Sequence, residues 1–554
     1  MNEKTKTGLE ILHTAVLLGI LGDALLRAEP WGLNVLMFIV ALVASMTMLV
    51  LRRNHGFWNR RIAALHLALI FFGAMFVWRD SMQLKAFDTI AIFAIGAVLI
   101  LPALKIKMHT AGVFHYIIGF IWSGINCVFA PFFLIFDDIK WKTGAQSGWS
   151  KNLISVLRGV AIALPILLIF GALFVAADAV FEGFVRRTLN IDFELLFSHS
   201  LLIAALSWFT AGYLRGSLIG GFTKVTQAFT ESDVIKTQVL SVTEIKDEDA
   251  PKTEDTPKAE EKKKWDWQNF DNSVLPQGFT LGAIETSIIL GLINLLFLSF
   301  VILQLPYLFG GMELVQNTPD FKLAEYARRG FGELVAVAAL VLPILLVSHW
   351  LLRKDNPTNE KLYRILAGVQ IVLLFVIMLS AAQRLFLLTG NLGYGLTTVR
   401  FYPMVFMLWL ACIFVWFAVT VLRGAREQFA WGALWLALFV LGTLHVFNPD
   451  EYIVRTNVRL MQEGRMFDSN YVTELSDDAA PALLESLPAM GFEQQCMIKY
   501  KLSARLEKAQ TENDFRTWNF SRWKARRETS QFADRLDTTG CPSYGKNFRQ
   551  DSDD

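Results

Sequence analysis

Two groups of polar side chains interrupt the apolar stretches of this sequence, and both could do chemistry inside or beside a membrane. In the first group, Glu285 and Gln370 lie at depths in two apolar runs that allow a carboxyl–amide contact. Ionisable groups inside such runs are costly and are functional candidates by default. Proton or cation handling is one interpretation, and a hydrogen-bonded structural glutamate is the other.

The second group gathers where several apolar runs end on one predicted face. Arg384 leads it, because a guanidinium keeps its charge and needs an anion nearby. A pocket for an anionic headgroup, peptide or solute competes here with snorkelling side chains and interhelical ion pairs that only fix the bundle. The candidate ligand-binding residues are Asp178, Gln304, Tyr307, Arg329, Glu333, Arg384 and Arg400.

Familiar catalytic and metal-binding motifs are missing from the sequence. It has no GxxxxGK[ST] loop, no GxSxG elbow and no HExxH pair. The four cysteines form no CxxC pair, and nothing resembles a nucleic-acid-binding module. We therefore predict no catalytic residue, no metal, no cofactor and no nucleic-acid partner, and we lean against an enzyme.

Membrane-spanning helices must position the two groups. Of the 554 residues, 54% are hydrophobic and 18% charged, with a mean hydropathy of +0.40, whereas soluble proteins carry about 25% charged residues. Several apolar stretches are long enough to cross a bilayer. We predict an all-α polytopic transmembrane bundle with about eleven spans, at 9–27, 32–51, 62–79, 86–104, 158–181, 199–216, 279–304, 332–352, 364–389, 400–422 and 428–446.

The segment 112–136 decides the predicted topology. SGIN at 123–126 and Pro131 interrupt it, which predicts a re-entrant or interfacial helical hairpin. If this hairpin does not cross, the loops on the side of the N-terminus carry about twice as many Lys and Arg residues as the others, and a crossing removes that bias. We therefore expect a cytoplasmic N-terminus and an outer, periplasmic C-terminus.

The same pattern divides the chain into four regions. They are a first membrane half with six spans (1–220), a polar and largely disordered cytoplasmic linker (221–278), a second membrane half with five spans (279–446) and a small α-helical outer domain (447–554).

Two features of the last region bear on its structure. Ser476 can cap a helix start, since acidic residues and then an apolar pattern follow it. Cys496 and Cys541 either pair in an oxidising compartment or remain free thiols.

Seven strings in this order resemble an uncharacterised bacterial multi-pass membrane family, domain of unknown function 4173, related to 4153. They are PILLIFGALFVAADAVFE (165–182), GLINLLFLSFVILQLPYLFGG (291–311), EYARRGFGEL (325–334), RLFLLTGNLGYGLTTVRFYPMVFMLWLACIFVWF (384–417), NPDEYIVRTNVRL (448–460), YVTELSDDAAPALL (471–484) and WNFSRWKAR (518–526). The resemblance implies a multi-pass protein of the bacterial inner membrane and assigns no catalytic residue.

The sequence leaves three functions open. A binding or sensing membrane protein with an outer-leaflet polar pocket ranks first. A transporter or channel for a small anionic solute or lipid ranks second, and a membrane enzyme acting on a lipid-linked substrate ranks third. The expected partners are the lipid bilayer, an anionic lipid or small solute, and a protein that binds the linker 221–278 or the C-terminal region.

Overall fold

Eleven long apolar helices make up most of the chain that the computed structural model describes, which is residues 3–53, 59–140, 193–219, 280–309, 331–353, 356–386, 395–511 and 514–532 with the single residues 170, 389 and 541. These helices are α1 (Glu3–Leu26), α2 (Leu33–Arg53), α3 (Arg60–Trp78), α4 (Met82–Leu99), α5 (Val113–Phe133), α6 (Phe193–Leu218), α7 (Ala283–Phe309), α8 (Phe331–Leu351), α9 (Pro357–Phe386), α10 (Thr398–Thr420) and α11 (Phe429–Phe447). Each is long and apolar enough to cross a membrane. The predicted all-α polytopic bundle is therefore confirmed.

One predicted element differs from the helices of the structure, and two others lie outside the described residues. The span predicted at 158–181 lies outside the described residues except for Phe170, and the linker 221–278 lies outside them entirely. The difference is α5, which was predicted as a hairpin and is a candidate span in the structure. It runs through Ser123–Asn126 without a break and continues as a π-helical turn, Leu134–Asp138.

The predicted hairpin at 112–136 is therefore wrong. Asn126 does not end the helix because its side chain donates to the carbonyl of Trp122, one turn earlier (2.7 Å). Pro131 is tolerated, as prolines often are in apolar helices that pack on neighbours. The 26 residues 113–138 could span about 39 Å at about 1.5 Å per residue. That the segment stays on one side of the membrane remains a prediction.

The described chain divides into two compact units. The first contains the start of α1, the segment 97–108, most of α5 and α6. This unit contains an ion cluster. In it, the buried Asp138 carboxylate binds Arg215 Nε (2.6 Å) and Lys4 Nζ (2.7 Å). Close helix approach accompanies it, because a Cβ added at Gly212 of α6 would lie 2.3 Å from the carbonyl oxygen of Asn126.

The second unit contains α2–α4, α7–α11 and the chain after them. Its membrane core lies between α7, α8, α9 and α10, where Leu290, Ala338 and Phe414 are fully buried. Tyr363 is buried there as well, and its hydroxyl donates to the carbonyl of Leu345 (2.7 Å). Packing and such interhelical bonds hold apolar helices together in lipid.

A helical domain follows α11 directly in this unit, with five α-helices among its described residues. They are α12 (Pro449–Gln462), α13 (Ser469–Glu474), α14 (Ala480–Ser486), α15 (Phe492–Thr511) and α16 (Phe520–Gln531), together called the C-terminal domain below. A disulfide joins Cys496 to Cys541, which decides the question the sequence left open. Its apolar core includes Leu84 and Phe401 of the membrane helices, so the domain and the bundle share one core.

The ends of the helices in the second unit lie on two opposite faces. On one face, called the docking face, α2, α4 and α10 begin and α3 and α11 end beside the C-terminal domain, at residues 28–33, 79–81, 395–398 and 448. The loops α2–α3, α8–α9 and α10–α11 lie at the other ends of these helices. Helix α7 also begins there, since Leu281 exchanges backbone hydrogen bonds with Leu351 and Arg353.

Candidate functional site

Asp478 binds the C-terminal domain to the start of a membrane helix. Ser476 caps the short turn Asp477–Ala479, as the sequence predicted. One oxygen of the Asp478 carboxylate then accepts hydrogen bonds from the backbone N–H groups of Asp80 (2.7 Å) and Ser81 (2.9 Å). These groups lie at the N-terminal end of α4, where unpaired N–H groups and the helix dipole favour an anion. Asp478 therefore caps α4 from 397 residues away.

The second oxygen of Asp478 completes this contact. It accepts from the hydroxyl of Ser521 and lies 3.4 Å from Nη1 of Arg79. The Asp478 side chain is only 1% exposed, and hydrogen bonds to a desolvated charge contribute about 1.5–3 kcal/mol each. The contact therefore fixes the α3–α4 turn to the C-terminal domain.

Two asparagines of the C-terminal domain bind further backbone groups of the docking face. Asn519 donates to the carbonyls of Phe76 and Arg79 (2.8 Å each), which are free at the C-terminal end of α3. Asn457 accepts from the N–H of Leu396 (2.6 Å) and donates to its carbonyl (2.8 Å). A movement of the domain must therefore move α3, α4 and α10 as well.

A polar cavity of about 550 Å³ lies beside these contacts and is called the docking cavity below. Its wall combines the start of α4, the start of α10 and four elements of the C-terminal domain. Its charged lining residues are Asp80, Asp450, Glu474, Asp477, Arg505, Lys508, Arg522 and Arg526, and Thr398, Tyr471 and Ser476 add hydroxyl groups. Four carboxylates thus face four cations, so the wall carries charge of both signs and almost no net charge.

Asp450 is the most deeply buried acid of this wall, with 1% of its surface exposed. Its Oδ2 accepts from the hydroxyl (2.5 Å) and the N–H (3.3 Å) of Ser476, while its Oδ1 has no partner among the described residues. Burial raises the pKa of Asp450 to about 6; the bonds from Ser476 oppose this shift, and the carboxylate of Asp478 adds to it. Asp450 can therefore gain or lose a proton in mildly acidic conditions.

Arg505 is another charged residue of the cavity wall, and several hydrogen bonds fix its side chain. Its Nη2 donates to the carbonyls of Thr473 (2.6 Å) and Leu475 (2.8 Å), and its Nη1 lies 3.3 Å from Asp477. Burial raises the pKa of Asp477, and the charge of Arg505 opposes that shift. These bonds fix the guanidinium at the edge of the cavity.

Of the residues predicted for the outer pocket, the structure describes the side chains of Arg384, Glu333 and Arg400. Arg384 is buried at the last turn of α9, whereas Glu333 is exposed in the first turn of α8. Arg400 is half-buried, donates to the carbonyl of Gly395 and carries a charge that acts on Tyr471 of the cavity. Asp178, Arg329 and the side chains of Gln304 and Tyr307 lie outside the described part of the chain.

The predicted contact between Glu285 and Gln370 is not formed. Helix α7 begins at Ala283, later than expected, so Glu285 lies in its first turn, exposed, and accepts from the N–H of Gly282 (3.0 Å). A carboxylate is favourable at that position. Gln370 is fully buried in α9.

Sequence reasoning missed the acids of the docking cavity. Asp450 and Asp477 both lie in strings that carry the family resemblance, but there they indicate only acids that favour helix starts. The available signal was their density just after the last apolar run. Within the described residues, no group of three His, Cys, Asp or Glu side chains could hold a metal ion.

The fold and the cavity define a multi-pass helical membrane protein whose C-terminal helical domain shares a core with the bundle. The chain belongs to the family described as Domain of unknown function (DUF4153), whose model matches residues 66–486. The resemblance to an uncharacterised family is thus confirmed for 4153 and is not shown for 4173. No curated protein and no solved structure is significantly similar to the chain.

Proposed function

We propose that the protein binds a small polar ligand in the docking cavity and passes the binding to its membrane helices, as a sensor or regulator does. The observation that carries this proposal is the origin of the cavity wall, which comes from both the C-terminal domain and the starts of α4 and α10. A ligand that binds both parts changes the free energy of their contact. That is the coupling that a sensor needs.

The charges of the wall favour a zwitterionic ligand over the purely anionic one that the sequence suggested. Carboxylates and cations are equal in number, so the wall complements a molecule with an ammonium and an acidic group. A free amino acid and a lipid headgroup such as phosphoethanolamine share this chemistry.

The charge distribution of the second unit supports an outer location for the cavity. Among its described helix ends, the face opposite the docking face carries Arg52, Arg60, Arg61, Arg353, Lys361, Arg364, Arg423 and Arg426, and the docking face carries Arg27, Arg79, Lys85, Arg384 and Arg400. Positively charged loops stay in the cytoplasm, and disulfides such as Cys496–Cys541 persist in oxidising compartments. This argument does not depend on whether α5 crosses. It supports the proposal that the C-terminal domain lies in the periplasm, beside a bacterial inner membrane.

Transport of a small solute is the second candidate function, and two amides inside the bundle favour it. Asn294 of α7 donates to the carbonyl of Leu366 (2.9 Å). One turn further along α9, neither amide atom of the buried Gln370 has a partner among the described residues. Polar groups at such depth often mark a solute path. Uptake of labelled glycine or phosphate by vesicles that contain the protein separates this candidate from binding alone.

Calorimetry on the full-length protein in nanodiscs tests the proposed binding. The probes are phosphoethanolamine, inorganic phosphate and ethylammonium. We expect phosphoethanolamine to bind most tightly, Arg526→Gln to weaken it about tenfold, or about 1.4 kcal/mol, and Arg527→Gln to leave it unchanged. Arg527 is the matched control because it is exposed and lies over the ring of Trp523, away from the cavity wall. Equal binding of all three probes, or none, contradicts the proposal.

A lipid source and a soluble source of this ligand give different results. Nanodiscs that contain phosphatidylethanolamine should reduce binding of the free probe if the headgroup occupies the cavity. Nanodiscs of phosphatidylglycerol should not. No difference between them would point to a soluble ligand.

A further inference from the structure

A buried acid and a buried histidine face each other between two membrane helices of the second unit. Asp88 lies six residues into α4, about 9 Å from its start, and His445 lies two residues before the end of α11. The Oδ2 atom of Asp88 is 3.0 Å from Nε2 of His445, and both side chains are at most 1% exposed. Neither residue takes part in the docking cavity.

The hydrogen bonds of His445 indicate how many protons the pair holds. Its Nδ1 lies 2.9 Å from the carbonyl oxygen of Leu441, which can only accept. Nδ1 must therefore carry a hydrogen. If the histidine held no second proton and Asp88 were ionised, the lone pair of Nε2 would face the lone pairs of a carboxylate at 3.0 Å. The short contact requires one more proton between the two atoms.

We propose that Asp88 and His445 form a proton-binding site, in which one proton is held between Oδ2 and Nε2. The held proton makes the pair neutral overall, whether it sits on the ring or on the carboxyl group. Its release to solvent would leave one uncompensated negative charge in a site without water contact, which is strongly unfavourable. The second carboxylate oxygen, Oδ1, is also buried and has no partner among the described residues.

The charges around the pair do not replace this proton. On α4, Lys85 binds Asp80 (2.8 Å), and at the end of α3 the Nη1 of Arg79 lies 3.4 Å from Asp478 of the C-terminal domain. From α10, Tyr402 reaches the same region, where its ring contacts Phe87 and its hydroxyl lies 3.5 Å from that of Ser81. Each nearby cation thus already has its own carboxylate.

The pair lies where its protonation can affect the attachment of the C-terminal domain. His445 precedes the junction at Asn448, where α11 leads into the C-terminal domain, and its carbonyl accepts from Nε of Arg79 (2.7 Å). Arg79 also contacts Asp478. Loss of the proton would weaken the contact between α4 and α11 at the point where the domain is attached. The protonation of the pair and the docking of the domain are therefore linked.

Nuclear magnetic resonance and infrared spectroscopy of the full-length protein test this proposal. In protein labelled with ¹⁵N-histidine, His445 is identified as the signal lost in His445→Gln. We expect either two protonated ring nitrogens at His445 or a protonated carboxyl band that disappears in Asp88→Asn. The conservative Asp88→Asn can donate its amide to Nε2 and so keeps the bond without the proton. Asp23→Asn, which removes another buried acid at a span end, should leave the signals unchanged.

Two results would overturn the proposal. One is a wild-type His445 with a single protonated ring nitrogen and no protonated carboxyl band assigned to Asp88. The other is a His445 ring with two protonated nitrogens in the wild type that keeps both in Asp88→Asn, because the second proton would then not depend on the carboxylate. The first result concerns the state of the wild-type protein, and the variants serve there only to assign its signals.

Discussion

The carboxylate of Asp478 accepts a hydrogen bond from the backbone N–H of Ser81, at 2.9 Å, although 397 residues separate them. A side chain of the C-terminal domain thereby completes the N-terminal end of a membrane helix. The domain is consequently part of the fold of the bundle and not an appendage tethered to it. Its stability and that of α4 should change together.

Replacing Asp478 by asparagine tests this joint stability. The amide group would face N–H and hydroxyl donors, so at least one buried charged hydrogen bond is lost, and we expect a loss of about 2–4 kcal/mol. Thermal unfolding followed by protease resistance of residues 449–531 measures it. The control is Asp468→Asn, because Asp468 caps α13 from an exposed loop and asparagine caps equally well. Equal effects of the two changes would contradict the account.

Gly395 offers a second test at the loop before α10. Its φ is +69°, and a Cβ there would lie 2.9 Å from Oδ1 of Asn457, the atom that binds Leu396. Gly464 has a similar φ of +83° but open space around it. We expect Gly464→Ala to cost about 1 kcal/mol from backbone strain alone, and Gly395→Ala to cost more and to loosen the loop in hydrogen exchange. Indistinguishable costs would show that the Asn457 contact adds nothing.

The raised pKa of Asp450 predicts that the stability of the folded protein decreases as the pH rises. Its pKa is raised in the folded protein to about 6 from the ordinary value of 3.8, so the folded state binds the proton more tightly. The stability gained this way is fully present below pH 3.8 and is lost as the pH rises through 6. The loss should be about 3 kcal/mol.

Asp450→Asn should remove this dependence, since the amide cannot ionise. The measurement is the unfolding free energy of the wild type and the variant between pH 4 and pH 8. Parallel curves would show that Asp450 has an ordinary pKa in the folded state.

The helices could be predicted from the sequence, and the docking contacts could not. Long apolar runs such as 33–53 need a helix because a bilayer leaves no partner for free backbone groups. The break predicted at 123–126 is wrong because Gly and Asn often end helices in water, whereas inside α5 the Nδ2 of Asn126 donates to the carbonyl of Trp122. Local pattern alone does not distinguish these cases.

The residues of the candidate site also divide into those that the sequence pattern indicates and those that only the fold brings together. Arg384 stood out because a charge inside an apolar run is visible locally. Asp80 and Asp477 look like ordinary acids beside helix starts, and only the folded chain brings them to one cavity. Asp88 and His445 lay inside the predicted spans, and that position was the signal that could have identified them.

The disulfide of the C-terminal domain predicts a loss of stability on reduction. It links residues 45 positions apart, and closing such a loop in the unfolded chain contributes about 2–4 kcal/mol. Cys541→Ser should therefore lower the stability of the domain by that amount and remove its sensitivity to reductant. Cys412→Ala, which alters a free thiol in α10, is the control. Wild-type stability that reductant leaves unchanged would count against a structural disulfide.

Labelling of single cysteines in whole cells tests the orientation of the C-terminal domain most directly. With Cys127 and Cys412 replaced, Met466→Cys places a thiol at a side chain that is 89% exposed on the C-terminal domain, and Arg61→Cys places one at the exposed start of α3, on the opposite face. An impermeant maleimide should label position 466 in intact spheroplasts and position 61 only after the membrane is permeabilised. The reverse pattern would place the docking cavity in the cytoplasm and contradict the proposed function.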